Sequence, residues 1–542
     1  MAARTPSPLM LLGLTLPLAV FLMILLTGYT FLATNFADHD VHHANHPLHG
    51  LLLPGPVIRV PTKSTNQTNT QVHDTDNVEY HIVFSTGCSA FQDWQSYVFF
   101  FQALKVQQPG TITRIVSGCQ DDEEATVRRV FQQTIAPMSS RFRLHFTPDY
   151  AGTMKQGLVY PYINKPCGMK HWLEHALGFP HQPINQDAIV VLLDPDQLIT
   201  RPFRHNDFSN TEWMLVDDAP RTRITHGAPM GQRYGFYLQW KTKVRASYVF
   251  NTTTSPVDQL SAHAANAGYV VGPPYIATAR DMYAICDLWC QITPRVHGTS
   301  GDCSHHVWWF FYHCCCCNIH KLTLSSPTIL PQSRLACDRR ISRKFYDLLT
   351  SSDVPSSSVS RIIIIISTNL CFKWQYLLAE MFAYCLAAAH LGLAHQTAAS
   401  FMVSSTGVMK GEGWSYVDGI PDEKICQPND IPEENLPNVL HFCQRYGWGP
   451  YFFGKRKLPH SFLSCESPLL HDPPDTLLTD YEQATFPGGN VKEFKGAEAK
   501  RNVFMVCYMI QALNEAAEYY KAQHCNSASA NLKHSMILSQ IK

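Results

Sequence analysis

Two carboxylates lie close together after an apolar run in the middle of the chain. Asp194 and Asp196 flank Pro195 and follow Ala188–Leu193, six uncharged residues that are aliphatic throughout. Such a run predicts a buried strand, which would place both acids at its carboxyl end. Oxygen ligands spaced in this way suit Mg²⁺ or Mn²⁺ carrying a phosphorylated substrate. The alternative is a polar turn that only ends the strand.

Four further residues have side chains that suit phosphate or acid–base chemistry. Lys165 precedes a predicted helix and could neutralise a diphosphate or simply lie on the surface. Glu380 is the single acid of an apolar helix, and a buried carboxylate is either paired structurally or kept for function. His441 is near the end of a strand predicted over 436–446, where a histidine is either structural or a ligand. The basic run Lys455–Lys457 follows and would suit a phosphate.

Alternating strands and helices are predicted to position these groups. Tyr80–Thr86 is an apolar strand that runs into a small-residue turn at 87–89, and a helix with one apolar face follows over 91–104. Further strands are predicted at 113–117 and 142–146. This repeated order is typical of a doubly wound α/β sheet, in which ligands bind at the carboxyl ends of the strands. The turn after the first strand could therefore receive a nucleotide.

Composition limits the partners that the chain can bind. The 542 residues carry 43 basic and 43 acidic side chains. Because the charges cancel, there is no electrostatic reason to expect a nucleic-acid partner. The length fits about two to four domains or one enlarged α/β domain. An aromatic share of 11% with 35 prolines favours a folded, loop-rich protein.

An uncharged segment near the amino terminus predicts a membrane anchor. Residues 9–32 form an apolar run that is long enough, as a helix, to span a bilayer. The run is longer than the apolar region of a cleavable signal peptide. Arg4 precedes it and two aspartates follow it, so the positive-inside bias predicts a single-pass type II protein. We expect a cytoplasmic tail over 1–8, an exposed stem over 33–75 and a lumenal remainder.

A lumenal position permits disulfides and glycosylation. Asn66-Gln-Thr68 and Asn251-Thr-Thr253 are N-glycan sequons. Ten cysteines are scattered in the way that structural bridges usually are, and none has a spacing that demands zinc. They are Cys88, Cys119, Cys167, Cys286, Cys290, Cys426, Cys443, Cys465, Cys507 and Cys525.

The composition changes abruptly between residues 298 and 374. This segment contains seven cysteines, the isoleucine run 362–366 and a serine-rich stretch over 351–360. We interpret it as a retained intron or gene-model error that is disordered and contributes nothing to chemistry. A zinc-binding cysteine cluster and a hydrophobic lid are the alternatives. A transcript that always carries the codons for residues 296–377 would contradict the intron hypothesis.

The remaining segments follow from these boundaries. One folded part would cover 76–297, a second folded part 375–525, and a polar tail 526–542. Their motifs are FQDWQS at 91–96, QPGTITR at 108–114, NKP at 164–166, LDPD at 193–196, EMFAY at 380–384 and HFCQRY at 441–446. In these motifs and their order the chain resembles GT-A type glycosyltransferases. More specifically, it resembles the plant and algal peptidyl serine α-galactosyltransferases and the related hydroxyproline O-arabinosyltransferases.

This resemblance implies a GT-A type, nucleotide-sugar-binding doubly wound sheet and a metal-dependent reaction. Asp194, Asp196 and His441 would hold Mn²⁺, or Mg²⁺, against the diphosphate of the donor. Glu380 would face the sugar. It would be the base in an inverting enzyme, or would stabilise an oxocarbenium-like state in a retaining one. The adjacent acids at 217 and 218 are the alternative to Glu380.

The resemblance also implies four nucleotide contacts. Thr86 and Arg114 would lie along the nucleotide, while Lys165 and Lys455 would offset phosphate charge. The expected enzyme resides in the Golgi or endoplasmic reticulum membrane and moves galactose from UDP-galactose onto serine or hydroxyproline of hydroxyproline-rich glycoproteins. One alternative is arabinose transfer to hydroxyproline. Another is a catalytically silent, membrane-anchored carbohydrate-binding or scaffold protein.

Overall fold

Strands from the first three quarters of the chain build the main sheet. The computed structural model describes residues 78–151, 160–205, 223–244, 246–298, 378–407 and 412–541. Its first eight strands are β1 (Tyr80–Thr86), β2 (Thr111–Ser117), β3 (Phe142–Thr147), β4 (Ile189–Leu193), β5 (Gln197–Ile199), β6 (Met230–Arg233), β7 (Val271–Thr278) and β8 (Gln396–Ala398). Seven of them form one sheet in the order β3-β2-β1-β4-β7-β6-β8. β1 to β4 are parallel within it, whereas β7 runs antiparallel to β4 and β6.

Shorter strands build the rest of the molecule. They are β9 (Met402–Val403), β10 (Val439–His441), β11 (Arg445–Trp448), β12 (Tyr451–Gly454), β13 (Leu469–Leu470), β14 (Gln483–Phe486), β15 (Asn490–Glu493) and β16 (His534–Met536). β16 pairs with β13, so the segment assigned to a polar tail contains a strand of the folded domain.

Within the described ranges, six helices have ten or more residues and pack against the core. They are α1 (Ala90–Lys105), α2 (Asp121–Val130), α3 (Asn164–Leu177), α4 (Ala279–Gly298), α5 (378–390) and α6 (Ala497–His524). The other α-helices are Gln239–Thr242, Ala246–Phe250, Pro256–Gln259, Ala262–Tyr269, Ser415–Asp418 and Leu477–Asp480, and a π-helical turn, Phe131–Ile135, follows α2. The 3₁₀ turns are Ala136–Met138, Pro161–Ile163, Asp422–Lys424, Pro428–Asp430, Glu433–Asn435, Lys455–Lys457 and Leu538–Gln540.

The core lies on both faces of the sheet because successive strand residues point to opposite sides. Ile82 and Val191 pack in one cluster with α1 and α6. Val83 and Val190 pack in the other with α3, α4 and α5. A strand buried on both sides needs continuous apolar sequence, as β4 has. The predicted α/β class is thus confirmed, and the central sheet is rich in parallel pairs, with antiparallel pairs beyond β4.

A small second sheet joins distant parts of the chain next to the end of β4. β10 pairs antiparallel with β5 and parallel with β9. In this register His441 lies opposite Gln197, the residue that follows Asp196. A segment 245 residues further along the chain is thereby fixed beside the two predicted metal ligands.

The strand predicted over 436–446 is wrong in extent. β10 ends at His441, and the chain turns before β11 begins at Arg445. The residues between them include Cys443 and Gln444, which are exposed, so no burial favours a continuous strand here. The turn leaves His441 at a strand end, as predicted.

Four disulfides link eight of the ten scattered cysteines. They are Cys88–Cys119, Cys167–Cys290, Cys426–Cys507 and Cys465–Cys525. The reading of Cys286 and Cys443 as bridge cysteines is wrong. Cys286 is a buried thiol within α4 and Cys443 is an exposed thiol. Neither has a partner cysteine within the part of the chain that the structure describes.

Removing the Cys167–Cys290 bridge is expected to destabilise the domain. This bridge ties α3 to α4 across 123 residues. Closing a loop of that length removes conformational entropy from the unfolded chain, worth about 5 kcal/mol. Replacing both cysteines by serine should lower the urea midpoint accordingly, whereas Cys443→Ser should not. An unchanged midpoint in the double variant would contradict a stabilising role.

Several predicted segments lie outside the described residues. These are the cytoplasmic tail 1–8, the membrane span 9–32, the stem 33–75 and the alternative acids at 217 and 218. The anomalous segment 298–374 also lies outside them, apart from Gly298, the last residue of α4. None of the helices in the described ranges has the length and apolar character that a membrane crossing requires.

Candidate metal centre and active site

The Asp194-Pro-Asp196 turn is fixed by one buried side chain. The amide oxygen of Gln197 accepts a hydrogen bond from the Asp194 N–H at 2.9 Å, and the Gln197 N–H donates to the Asp194 carbonyl at 3.1 Å. The amide nitrogen of Gln197 donates to the Pro273 carbonyl on β7 at 3.0 Å. Both carboxylates therefore leave the end of β4 on an anchored turn.

The predicted ligand set converges. One ligand atom from each of Asp194, Asp196 and His441 lies within 4.8 Å of the others. Ligands bonded to one octahedral ion at about 2.1 Å lie roughly 3 to 4.2 Å apart, so small side-chain movements would let the three atoms share a single divalent cation. The two carboxylates are ligands that suit both Mn²⁺ and Mg²⁺, while the imidazole nitrogen favours Mn²⁺ over the harder Mg²⁺, which prefers oxygen. Asp194, Asp196 and His441 therefore fit the divalent cation that the sequence resemblance implied.

Asp196 is held ionised by two cationic neighbours. Lys455 Nζ lies 2.5 Å from Asp196 Oδ2, and His441 Nε2 lies 3.4 Å from Asp196 Oδ1. Burial alone would raise the pKa of Asp196, but His441 and Lys455 hold it well below its ordinary value. Burial would lower the pKa of His441, and the neighbouring Cys443 and Asp196 outweigh it and raise that pKa.

Asp194 forms an ion pair with Lys165, which also pairs with Glu380. Lys165 Nζ, in the first turn of α3, lies 2.7 Å from Asp194 Oδ1 and 3.2 Å from Glu380 Oε1. Burial would lower the pKa of Lys165, but the two acids raise it above its ordinary value. Each predicted metal carboxylate is thus paired with one of the two lysines expected to face phosphate.

Glu380 is buried, with one carboxylate oxygen incompletely satisfied. Its side chain is on α5 and the residue is 5% exposed. The Glu380 N–H donates to the Tyr160 hydroxyl at 2.9 Å, and Trp289 Nε1 donates to the Glu380 carbonyl at 2.8 Å. Oε1 has the ion pair with Lys165 but no hydrogen-bond partner among the described residues. Burial raises the pKa of Glu380, Lys165 opposes this, and Asp194 adds to it.

Thr86, the last residue of β1, contacts Arg114 in the middle of the neighbouring strand β2. Arg114, which is 2% exposed, donates from Nε to Thr86 Oγ1 at 2.9 Å and from a terminal nitrogen to Asp93 Oδ1 at 2.8 Å. Thr86 Oγ1 donates to the Ile115 carbonyl at 3.2 Å. Both predicted groups thus have internal partners, while Asp93 on α1 is partly exposed. Their contact with a nucleotide stays a prediction.

Sequence reasoning missed a second layer around His441. Tyr446 donates its hydroxyl to the His441 carbonyl, Cys443 interacts with the imidazole, and Glu412 accepts hydrogen bonds from the backbone that follows β9. Tyr234 lies near the two aspartates, donating its hydroxyl to the Pro273 carbonyl at 3.1 Å. The sequence signal for Glu412 is its position in Gly-Glu-Gly-Trp, an acid between glycines before an aromatic residue. That signal is too weak to have singled it out.

The combined arrangement can bind a metal, screen phosphate charge and offer a carboxylate. Three ligands can hold a divalent cation, and each of the two carboxylate ligands forms an ion pair with a different lysine. The buried Glu380 pairs with one of these lysines, Lys165. This combination is suited to transfer reactions with a diphosphate leaving group.

Comparison with known proteins points to one class, glycosyltransferases, although no family model matches the chain. It is 36% identical over 158 residues to a peptidyl serine alpha-galactosyltransferase of Arabidopsis thaliana, covering 29% of this chain and 16% of that protein. It is 28% identical over 123 residues to the protein of the same name from Chlamydomonas reinhardtii, covering 23% and 14%. The matches thus span about a sixth or less of these relatives. They support the prediction of a glycosyltransferase enzyme.

Solved structures give weaker similarities. The galactosyltransferase LgtC, in complex with donor and acceptor sugar analogues, is 10% identical with a TM-score of 0.20, covering 38% of this chain and 59% of LgtC. The apo bifunctional glycosyltransferase WbbM is 8% identical with a TM-score of 0.22, covering 40% and 35%. Overlap this small carries no argument about function.

Proposed function

We propose that the chain is a metal-dependent glycosyltransferase that moves a sugar, galactose from UDP-galactose, onto serine or hydroxyproline of a hydroxyproline-rich protein. The convergence of Asp194, Asp196 and His441, with a lysine on each carboxylate, is the observation that supports this most strongly. The names of the two partially matching relatives supply galactose as the sugar and peptidyl serine as an acceptor, while the UDP donor and hydroxyproline rest on the resemblance of the sequence motifs.

The residues divide the chemistry between them. Bound Mn²⁺ or Mg²⁺ would supply Lewis-acid stabilisation of the leaving diphosphate at Asp194, Asp196 and His441. Lys165 and Lys455 offer positive charge to the phosphate oxygens from a largely water-excluded position, where electrostatic interactions are stronger than in water. Glu380 has a raised pKa and can accept a proton from an acceptor hydroxyl or stabilise positive charge on the sugar.

The test is a transfer assay with the full chain and a serine- and hydroxyproline-rich peptide. We expect release of UDP and a mass increase of one hexose on the peptide, dependent on Mn²⁺ and absent in Asp194→Ala. A parallel reaction with a UDP-arabinose donor decides between galactose and arabinose transfer. Sugar binding without turnover, unchanged in Asp194→Ala, would contradict the enzyme and support the scaffold alternative.

We also propose that the catalytic domain resides in the Golgi or endoplasmic reticulum lumen. Four disulfides favour an oxidising compartment. The sequon at Asn251 lies in an exposed turn after the helix Ala246–Phe250, and Asn251 has a φ of 54°, a conformation that asparagine tolerates. A glycan attached there would extend into solvent.

Glycosylation of Asn251 is therefore expected when the chain is made in a secretory pathway. Peptide mass spectrometry after glycosidase treatment should find Asn251 converted to aspartate. Thr253→Ala removes the sequon and should abolish the modification, whereas Thr252→Ala keeps the sequon and should not. An unmodified Asn251 in chain recovered from the membrane fraction would contradict lumenal placement of this turn.

A further inference from the structure

The carboxylate of Glu412 accepts several hydrogen bonds from the turn that follows β9. Its Oε2 accepts hydrogen bonds from the Ser404 N–H at 2.6 Å, the Ser405 N–H at 2.9 Å and Trp414 Nε1 at 3.0 Å. Its Oε1 lies 3.1 Å from the Ser405 nitrogen. Burial raises the pKa of Glu412 to about 7, and these hydrogen bonds oppose that rise because they favour the ionised carboxylate. The carboxylate therefore fixes the backbone of Ser404 and Ser405.

The segment that carries Glu412 is itself packed against the approach to β9. A Cβ at Gly413 would lie 2.7 Å from the Ser400 Cα and 3.0 Å from the Ala399 carbonyl oxygen, so only glycine permits this close approach. Trp414 is buried in the core. Close packing at Gly413 and burial of Trp414 therefore fix the backbone next to Glu412, whose side chain contacts Ser404.

Ser404 is the direct neighbour of the His441 strand. β9 and β10 are paired, with Val403 opposite Leu440, so Ser404 comes next to His441. The hydroxyl of Tyr446, a residue that is 1% exposed, lies 2.9 Å from the Ser404 carbonyl and 3.0 Å from the His441 carbonyl. Ser404 Oγ lies 3.2 Å from Cys443 Sγ. A continuous chain of contacts therefore runs from Glu412 to the backbone of His441.

We propose that Glu412 is a positioning residue that holds His441 in its metal-binding place through Ser404 and Tyr446. The inference rests on the proposed function, since it needs the metal centre. Both oxygens of Glu412 already accept hydrogen bonds, and Glu412 does not belong to the convergent ligand set. Its role is therefore to orient a ligand rather than to bind the cation.

The consequence concerns metal affinity rather than the chemical step. Groups that orient a metal-binding histidine typically contribute about 10- to 100-fold to metal affinity. Glu412→Gln preserves shape but replaces one acceptor oxygen by an NH₂ group facing N–H donors. Tyr446→Phe removes only the hydroxyl that bridges Ser404 and His441. Both variants should weaken Mn²⁺ binding about tenfold, while kcat at saturating Mn²⁺ stays within about twofold of the wild type.

The experiment is a double-mutant cycle on the full chain, with the Mn²⁺ dissociation constant measured by electron paramagnetic resonance of free Mn²⁺. If the two residues act through one path, the double variant should bind Mn²⁺ about as weakly as the weaker single variant. Asp418→Asn is the control, because it breaks the ion pair with Arg501 near Trp414 without touching Ser404. Its Mn²⁺ affinity should be unchanged.

The outcomes separate this inference from the proposed function. Mn²⁺ affinity in Glu412→Gln equal to that of the wild type, or effects of the two substitutions that multiply in the double variant, would overturn the positioning role alone. A wild-type chain that binds no Mn²⁺ would overturn the proposed metal centre and the inference with it. Tyr446→Phe keeps the test valid if Glu412→Gln does not fold.

Discussion

Asp196→Asn is expected to lower kcat/KM about a thousandfold. The substitution removes a carboxylate ligand and leaves Lys455 and His441, both within 3.4 Å, without their anion. A metal ion contributes several kcal/mol of charge stabilisation to the transition state, and each 1.4 kcal/mol corresponds to about a factor of ten in rate. Steady-state kinetics at saturating Mn²⁺ with UDP-galactose and the acceptor peptide measure the loss.

The same substitution should also lower stability, by about 3 kcal/mol, because it leaves the partly buried side chains of Lys455 and His441 without their anion. The folded-state pKa of Asp196 is depressed, so the ionised carboxylate stabilises the fold at neutral pH, and this stabilisation is lost as the pH falls through the acidic range. The difference in unfolding midpoint from the wild type should therefore shrink on acidification. Asp472→Asn, which breaks another aspartate–histidine pair, is the control and should retain turnover. Full activity in Asp196→Asn would remove the metal centre from the mechanism.

Glu380→Gln is expected to reduce kcat by a factor of about 10² to 10⁴, the usual contribution of a positioned acid–base group. The pKa of Glu380 is raised in the folded protein, so ionisation of this residue opposes folding above the ordinary carboxyl pKa. A neutral glutamine relieves that cost, and Lys165 keeps its contact with Asp194 at 2.7 Å. The unfolding midpoint at pH 7 should therefore stay the same or rise while activity falls.

This opposite movement of activity and stability distinguishes a catalytic Glu380 from a structural one. Circular dichroism and single-turnover kinetics on the same preparation measure both quantities. Glu174→Gln is the matched control, since Glu174 pairs with Lys170 on α3 outside the site. A strong loss of stability in Glu380→Gln with unchanged kcat would assign the residue to the ion pair alone.

The parts of the fold that local pattern specifies could be predicted from the sequence. β1 and β4 are apolar runs bounded by turn residues, and a strand buried on both faces has little freedom to be anything else. Asp194 and Asp196 follow directly, because the carboxyl end of a strand is where a sheet presents ligands. His441 and Lys455 were assigned to the same site because their motifs resemble those of known proteins. In the structure both side chains contact Asp196.

The pairing of distant segments could not be predicted. Nothing in the sequence around Met402 and Val403 indicates that this two-residue strand lies beside β10 and delivers Ser404 to His441. Glu412 gains its position from that pairing. The turn that ends β10 was missed for a related reason, since apolar content continues past His441 while the exposed Cys443 and Gln444 end the strand. Tertiary contacts override local pattern at both positions.

Calorimetric binding of UDP to the full chain, with Mn²⁺ and again with a chelator, tests the central claim most directly. It requires neither the acceptor nor the identity of the sugar. If Asp194, Asp196 and His441 hold the cation that receives a nucleotide diphosphate, UDP should bind with Mn²⁺ present, and this binding should disappear with the chelator and in Asp194→Ala. Equal UDP affinity with and without the metal, or an Asp194→Ala variant that binds as the wild type does, would contradict it.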